Sequence, residues 1–185
     1  MPNAPLVTRT PLHTRSLQVQ VFERSDGLFD VEATLRDVKA IDMRLATGLR
    51  PAGQPIHDMA LTLLVDRALN IVSATSATTA MPYPGTCESH GDAYAQLQGL
   101  NLLNGFRAAL KARLAGTRGC THLTELASVL PTAVIQAFAG HVLDTREGTA
   151  DDQPPFQIDR CHALRREGPV VKTHYPRWFV QRTGA

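Results

Sequence analysis

An α+β fold, an antiparallel β meander followed by helices, is predicted by three observations. Apolar and polar residues alternate in four stretches before residue 80, helical spacing takes over afterwards, and the rigid loop Met81-Pro82-Tyr83-Pro84-Gly85 marks the change. With 185 residues, 43% of them apolar, the chain can bury a sizeable core and is read as a single domain over 1–185.

An N-terminal arm is expected over 1–15 and an antiparallel sheet over 16–80. Leu17, Val19 and Val21 alternate ahead of the turn Ser25-Asp26-Gly27, and Phe29, Val31, Ala33 and Leu35 alternate after it, which is the pattern of a β-hairpin. Gly48, Pro51, Gly53 and Pro55 mark a loop. Met59, Leu61, Leu63 and Val65 then form a third strand, which returns through 66–70 to a fourth over 71–78. A helical layer follows over 87–140, with helices near 92–98, 105–114 and 121–138, the last bent or broken before Pro131. The Asp-, Gly-, Thr- and Pro-rich segment 141–155 reads as a mobile loop. Residues 156–180 read as a C-terminal β-hairpin and tail, with extended segments over 156–164 and 170–175; a two-residue turn at Glu167-Gly168 would set Cys161 opposite His174.

Composition narrows the function. Nineteen Lys and Arg against seventeen Asp and Glu leave no excess of positive charge for a dedicated nucleic-acid surface. No apolar run approaches the ~20 residues of a membrane span, and the opening Met-Pro-Asn-Ala-Pro-Leu lacks the charged start and apolar core of a signal peptide, so a cytoplasmic location is expected. Three cysteines without an export signal read as reduced thiols or metal ligands rather than a disulfide frame. There is no phosphate-cradling glycine loop, no Gly-x-Ser-x-Gly, no His-Glu-x-x-His and no Cys-x-x-Cys.

The most site-like stretch is Gly119-Cys120-Thr121-His122-Leu123-Thr124-Glu125-Leu126. Thr121 suits a helix N-cap and Leu123, Leu126 and Leu130 a buried face, so Cys120 would lie at the positive end of the helix dipole, where a thiolate is favoured. His122 is two residues away, and Glu125, one turn on, can accept its ring proton. His57-Asp58 offers a second imidazole beside a carboxylate, and His174-Tyr175-Pro176-Arg177-Trp178-Phe179 a cation among aromatic rings able to clamp an anionic or planar substrate. Each has a structural alternative: Cys87 and Cys161 as small buried hydrophobes, His57-Asp58 as a loop pair, Glu125 as ordinary surface, Trp178 and Phe179 as core closure. His13 and His141 read as loop residues without a role.

The motifs Gly53-Gln54-Pro55-Ile56-His57-Asp58-Met59, Gly119-Cys120-Thr121-His122-Leu123, Asp159-Arg160-Cys161-His162-Ala163-Leu164-Arg165 and His174-Tyr175-Pro176-Arg177-Trp178 together resemble the bacterial family of the domain of unknown function numbered 2889. A more distant likeness is to iron-sulfur scaffold proteins of the NifU and SufU type. It implies metal ligands from three places: His57-Asp58 where the scaffold has Cys-Gly-Asp, Cys87 on the loop after the next strand, and Cys120 opening a helix. Histidine replaces the first cysteine and the glycine is missing, which moves the donor set toward His, Asp and Cys, and the metal toward zinc rather than iron or an iron-sulfur cluster.

The expectation is therefore a metal-dependent enzyme, a hydrolase or lyase acting on a small organic acid or its derivative. His57, Asp58, Cys87 and Cys120 would hold a divalent metal, His122 and Glu125 would serve catalysis, and His174, Tyr175 and Arg177 would bind an anionic substrate. A Cys120 nucleophile paired with His122 could replace the metal. The alternative is a non-catalytic metal or iron-sulfur carrier. Neither nucleic acid nor membrane is expected as partner; a second copy of the chain is left open, as is whether Cys161, His162 and His174 join the same site.

Overall fold

In the computed structural model, residues 7–146 and 153–181 are described. The rest of the expected arm and mobile loop, residues 1–6 and 147–152, lies outside them. The chain divides into two compact units, residues 1–134 and 135–185. No helix among the described residues is long and apolar enough to cross a membrane.

The first unit carries an antiparallel sheet in the order β1-β2-β5-β6. Strands β1 (His13–Glu23) and β2 (Phe29–Lys39) form the expected hairpin, and β5 (Pro55–Val65) and β6 (Ile71–Ala80) the second pair. Odd-numbered side chains of β2 and β5 point to one face, and Phe29, Val31, Ala33, Leu35, Met59, Leu61, Leu63 and Val65 are buried there. At roughly 1.5–3 kcal/mol for each large apolar side chain buried, this face dominates the unit's stability. A short ribbon of β3 (Met43–Leu45) and β4 (Gly48–Arg50) occupies the segment read from sequence as loop.

Two details of the sheet matter for the site. Strand β5 starts at Pro55, four residues before its apolar alternation, so His57 and Asp58 belong to the strand and point to opposite faces. The register is irregular on both sides of them, between Asp37 and Val38 against β5 and between Asp58 and Met59 against β6. Bulges of this kind re-aim side chains at the end of a sheet.

After the proline-rich loop the chain winds into a 3-10 helix, Cys87–Leu97, longer than the helix expected near 92–98. It buries Tyr94 and Leu97. Helix α1 (Phe106–Leu114) buries Phe106, Leu110 and Leu114 on one stripe. Helix α2 (Thr121–Phe138) runs through Pro131 without a break, contrary to the expected interruption. Proline forfeits one backbone hydrogen bond there, while the wholly buried Leu130 and Val134 on either side hold the helix to its course.

In the second unit the C-terminal β-hairpin is not formed. Residues 156–167 are turns, and the segment expected as its second strand is a short helix, α3 (Pro169–His174). Gly168-Pro169 explains the difference: Gly168 is extended and proline takes the first helical position, where its missing N–H costs nothing. Val171 is buried by helical rather than strand spacing. The proposed pairing of Cys161 with His174 therefore falls; Cys161 is exposed and its carbonyl accepts the turn bond from Leu164 N. Among the described residues Ile158 and Val171 form the core of this unit together with Phe138, and the Tyr175 hydroxyl and Gln157 amide both donate to the Thr145 carbonyl.

Candidate metal and acid-base site

The inward row of β2 does not end at Leu35. Two residues on, Asp37 occupies the next inward position and is 2% exposed, the only buried charged residue among those described. Its strand neighbours are Arg15 on β1 and His57 on β5. Three ionisable side chains thus lie abreast at one end of an otherwise apolar face. An isolated buried carboxylate would be expensive, and this one is paired on both oxygens. Arg15 Nε donates to Oδ1 and Nη2 to Oδ2, each at 2.7 Å, in a bidentate fork. His57 Nδ1 donates to Oδ2 at 2.9 Å and His13 Nε2 to Oδ1 at 3.1 Å.

Burial pushes the Asp37 carboxyl up, but the hydrogen bonds and charges of Arg15 and His57 outweigh it and bring it down to about 2. At neutral pH Asp37 is ionised and can only accept. In its neutral form the His57 ring then carries its proton on Nδ1, and Nε2 keeps the lone pair of a ligand or base.

Helix α2 brings a third imidazole. The His122 ring lies 3.7 Å from that of His57, centroid to centroid, tilted by 31°, with its Nε2 3.9 Å from Asp37 Oδ2. Burial, followed by the positive surroundings of His57 and Arg15, pushes the His122 ring down, against the opposite pull of Asp37 and Glu125. It is therefore neutral at pH 7. One donor atom from each of Asp37, His57 and His122 lies within 4.8 Å of the others, so the three can hold a divalent metal ion.

Cys120 stands beside this group. Cys120, not Thr121, flanks the helix: its carbonyl accepts the first intrahelical bond from Thr124 N, and Thr121 is already helical. Tyr94 locks the position, since its hydroxyl accepts from Cys120 N at 3.1 Å and donates to Cys120 O at 2.8 Å. Gly119 is required for this approach, because a Cβ there would meet the Leu114 carbonyl oxygen at 2.7 Å. The Cys120 thiol lies 3.9 Å from His122 Nδ1. His57, His122, Cys87 and Cys120 all border one cleft of about 270 Å³, with Met59 and Tyr83 in its wall.

The expected site residues thus divide. His57, Cys87, Cys120 and His122 share a cleft, whereas Asp58 is on the opposite sheet face, 3.7 Å from Arg36 Nε. Glu125 accepts from Arg15 Nη1 at 2.5 Å. In the second unit His174 and Tyr175 line a hollow of about 350 Å³ with Arg146, while the Arg177 guanidinium stacks over Trp178 at 4.7 Å. His162 accepts from Arg165 at 3.2 Å. Sequence reading missed Asp37, Arg15, His13 and Tyr94. For Asp37 a signal existed: a carboxylate two residues beyond Leu35 continues the inward alternation, and a charge at a core position marks a site.

A family model described as Protein of unknown function (DUF2889) matches residues 13–136, a span that holds Asp37, His57, Cys120 and His122. No curated protein and no solved structure matches the chain.

Proposed function

The chain belongs to the DUF2889 family, and from its buried Asp37 and paired imidazoles we propose that it is a metal-dependent enzyme, a hydrolase or lyase acting on a small organic acid or its derivative. One observation carries this reading: Asp37, saturated by Arg15, fixes His57 with Nε2 available while the neutral His122 stacks against it at the cleft. Carboxylate-bound histidines of this kind are the usual supports of catalytic metals. With Arg15 on both its oxygens, Asp37 acts as orienter of His57; a cation bound directly to Asp37 would sit against the guanidinium. His57 and His122 are then the nitrogen donors, Cys120 the adjoining sulfur donor, and zinc the metal that this mixed set suits. The ion would supply Lewis-acid polarisation of a substrate oxygen or a water activated near neutral pH. His57 and His122 would hold their lone pairs toward it, and Tyr94 would keep Cys120 in place.

The thiols of Cys87 and Cys120 on the same cleft favour a second reading, a metal carrier, to which the NifU- and SufU-like resemblance belongs. Elemental analysis and an absorption spectrum of protein purified without added metal test both. The enzyme reading expects colourless protein with about one zinc per chain, reduced in His57→Ala and His122→Ala; an iron-sulfur chromophore favours the carrier. Full occupancy in both variants would place the ligands elsewhere and overturn the assignment.

A further inference from the structure

Among the described residues the lining of the cleft contains no lysine, arginine, aspartate or glutamate, and it comes from residues 57–122. Its apolar wall is Met59, Pro82 and Tyr83, and its other polar groups are the hydroxyls of Thr86 and Thr121. Behind His57, the Asp37 carboxylate is engaged by Arg15, His13 and His57, and Arg15 by Asp37 and Glu125. In the metal-free cleft a free carboxylate would lose water without gaining a fixed cation from the described lining, a cost of the kind that buried unpaired anions incur. The volume, about 270 Å³, is below the usual ~300–1,000 Å³ of sites for drug-sized ligands and suits one ring with a short substituent. Tyr83, half exposed at the wall, offers a ring face for stacking.

We infer that the metal-free cleft prefers an uncharged, ring-sized carboxylic acid derivative, such as an ester, amide or lactone, over the free acid. The inference rests on the proposed function only for the placing of the reacting carbonyl beside His57 and His122; the preference for a neutral ligand is a property of the lining and exists without metal.

Benzamide and benzoate, alike in shape and different in charge, are the probes. Binding of each to the full-length, metal-free protein at pH 8 is measured by ligand-observed NMR titration, with metal content determined separately on untreated protein. Benzamide should bind at least roughly ten-fold more tightly, a difference of about 1.4 kcal/mol. Tyr83→Ala should weaken benzamide several-fold, and Thr86→Lys, which adds an ammonium at an exposed position of the lining, should shift the preference toward benzoate. Equal or tighter binding of benzoate by the wild type, no detectable binding of benzamide, or indifference to both substitutions would overturn the inference. A protein that holds no zinc yet prefers benzamide would sink the metal reading and leave this one standing.

Discussion

Two adjacent rows on the same sheet face are built from the same strands and have opposite chemistry. One is Leu17, Leu35 and Met59; the next is Arg15, Asp37 and His57. Leu35 and Asp37 are buried to almost the same degree, 0% and 2% exposed. The apolar row is held by area removed from water and tolerates any neighbour of the right volume. The charged row depends on direction: each Asp37 oxygen needs donors at the correct angle, and a missing partner costs more than the complete set contributes. The contrast shows what a site requires of a sheet, which is a position as rigid as the core and a bonding pattern the core does not need.

Matched substitutions sharpen that contrast most. Leu35→Ala should cost about 2–5 kcal/mol in urea unfolding through its cavity, with zinc affinity of the folded protein unchanged. Asp37→Asn should cost about 3 kcal/mol, the low end for breaking a buried pair because Arg15 keeps Glu125. It should also lower zinc affinity roughly 10–100-fold, as loss of the carboxylate behind a metal-binding histidine does. If Asp37→Asn loses stability but not metal affinity, the two rows differ only in polarity and Asp37 is not the orienter.

Acid breaks the charged row and spares the other. The Asp37 carboxyl lies at about 2 in the folded protein against 3.8 unfolded, so the unfolded chain takes up the proton first. Its contribution, about 2 kcal/mol, is complete above pH 3.8 and is lost as pH falls through 2. The downward shift of His122 acts in the same sense, with stability full above 6.5 and declining below it as the unfolded chain protonates first. Urea midpoints between pH 7 and 2 should fall in the wild type and flatten below pH 4 in Asp37→Asn. An unchanged slope in the variant would assign the acid loss to other carboxylates.

A third test concerns the backbone that presents Cys120. Gly119→Ala should cost about 1–3 kcal/mol, because its Cβ meets a carbonyl oxygen of Leu114 that has little room to move. Displacing Cys120 from Tyr94 should change the rate at which a thiol reagent modifies Cys120. Unaltered stability and reactivity would mean that the α1–α2 connection gives way freely.

The sheet was legible because alternation of Val, Leu and Ala is a direct imprint of a half-buried surface, and α2 because Leu123, Leu126 and Leu130 keep helical spacing. The C-terminal hairpin expected around a Glu167-Gly168 turn gives way to a helix, because an extended glycine followed by Pro169 is also the composition of a helix start. The site was half legible. His57, Cys120 and His122 advertise themselves by residue type, but Arg15, Asp37 and His57 become neighbours only through strand pairing, which local spacing does not encode. Asp58, adjacent to His57 in sequence, points to the opposite face beside Arg36, whereas Asp37 reaches His57 from across the sheet.

Glu125 marks the outer limit of the charged row and should show the smallest effect. Its carboxylate meets Arg15 Nη1 at 2.5 Å, yet its side chain is 44% exposed, so water competes for the same bond. Exposed ion pairs of this geometry contribute about 0.2–1 kcal/mol and weaken with salt. Glu125→Gln retains an acceptor for the guanidinium, so unfolding should shift by no more than about 0.5 kcal/mol, and the difference should vanish at high salt. Arg15 would still be forked on Asp37, and His57 would still be held. A loss of zinc affinity in Glu125→Gln comparable with that of Asp37→Asn would contradict this ordering, because it would mean that the carboxylate acts on His122 directly rather than through the stiffness of Arg15.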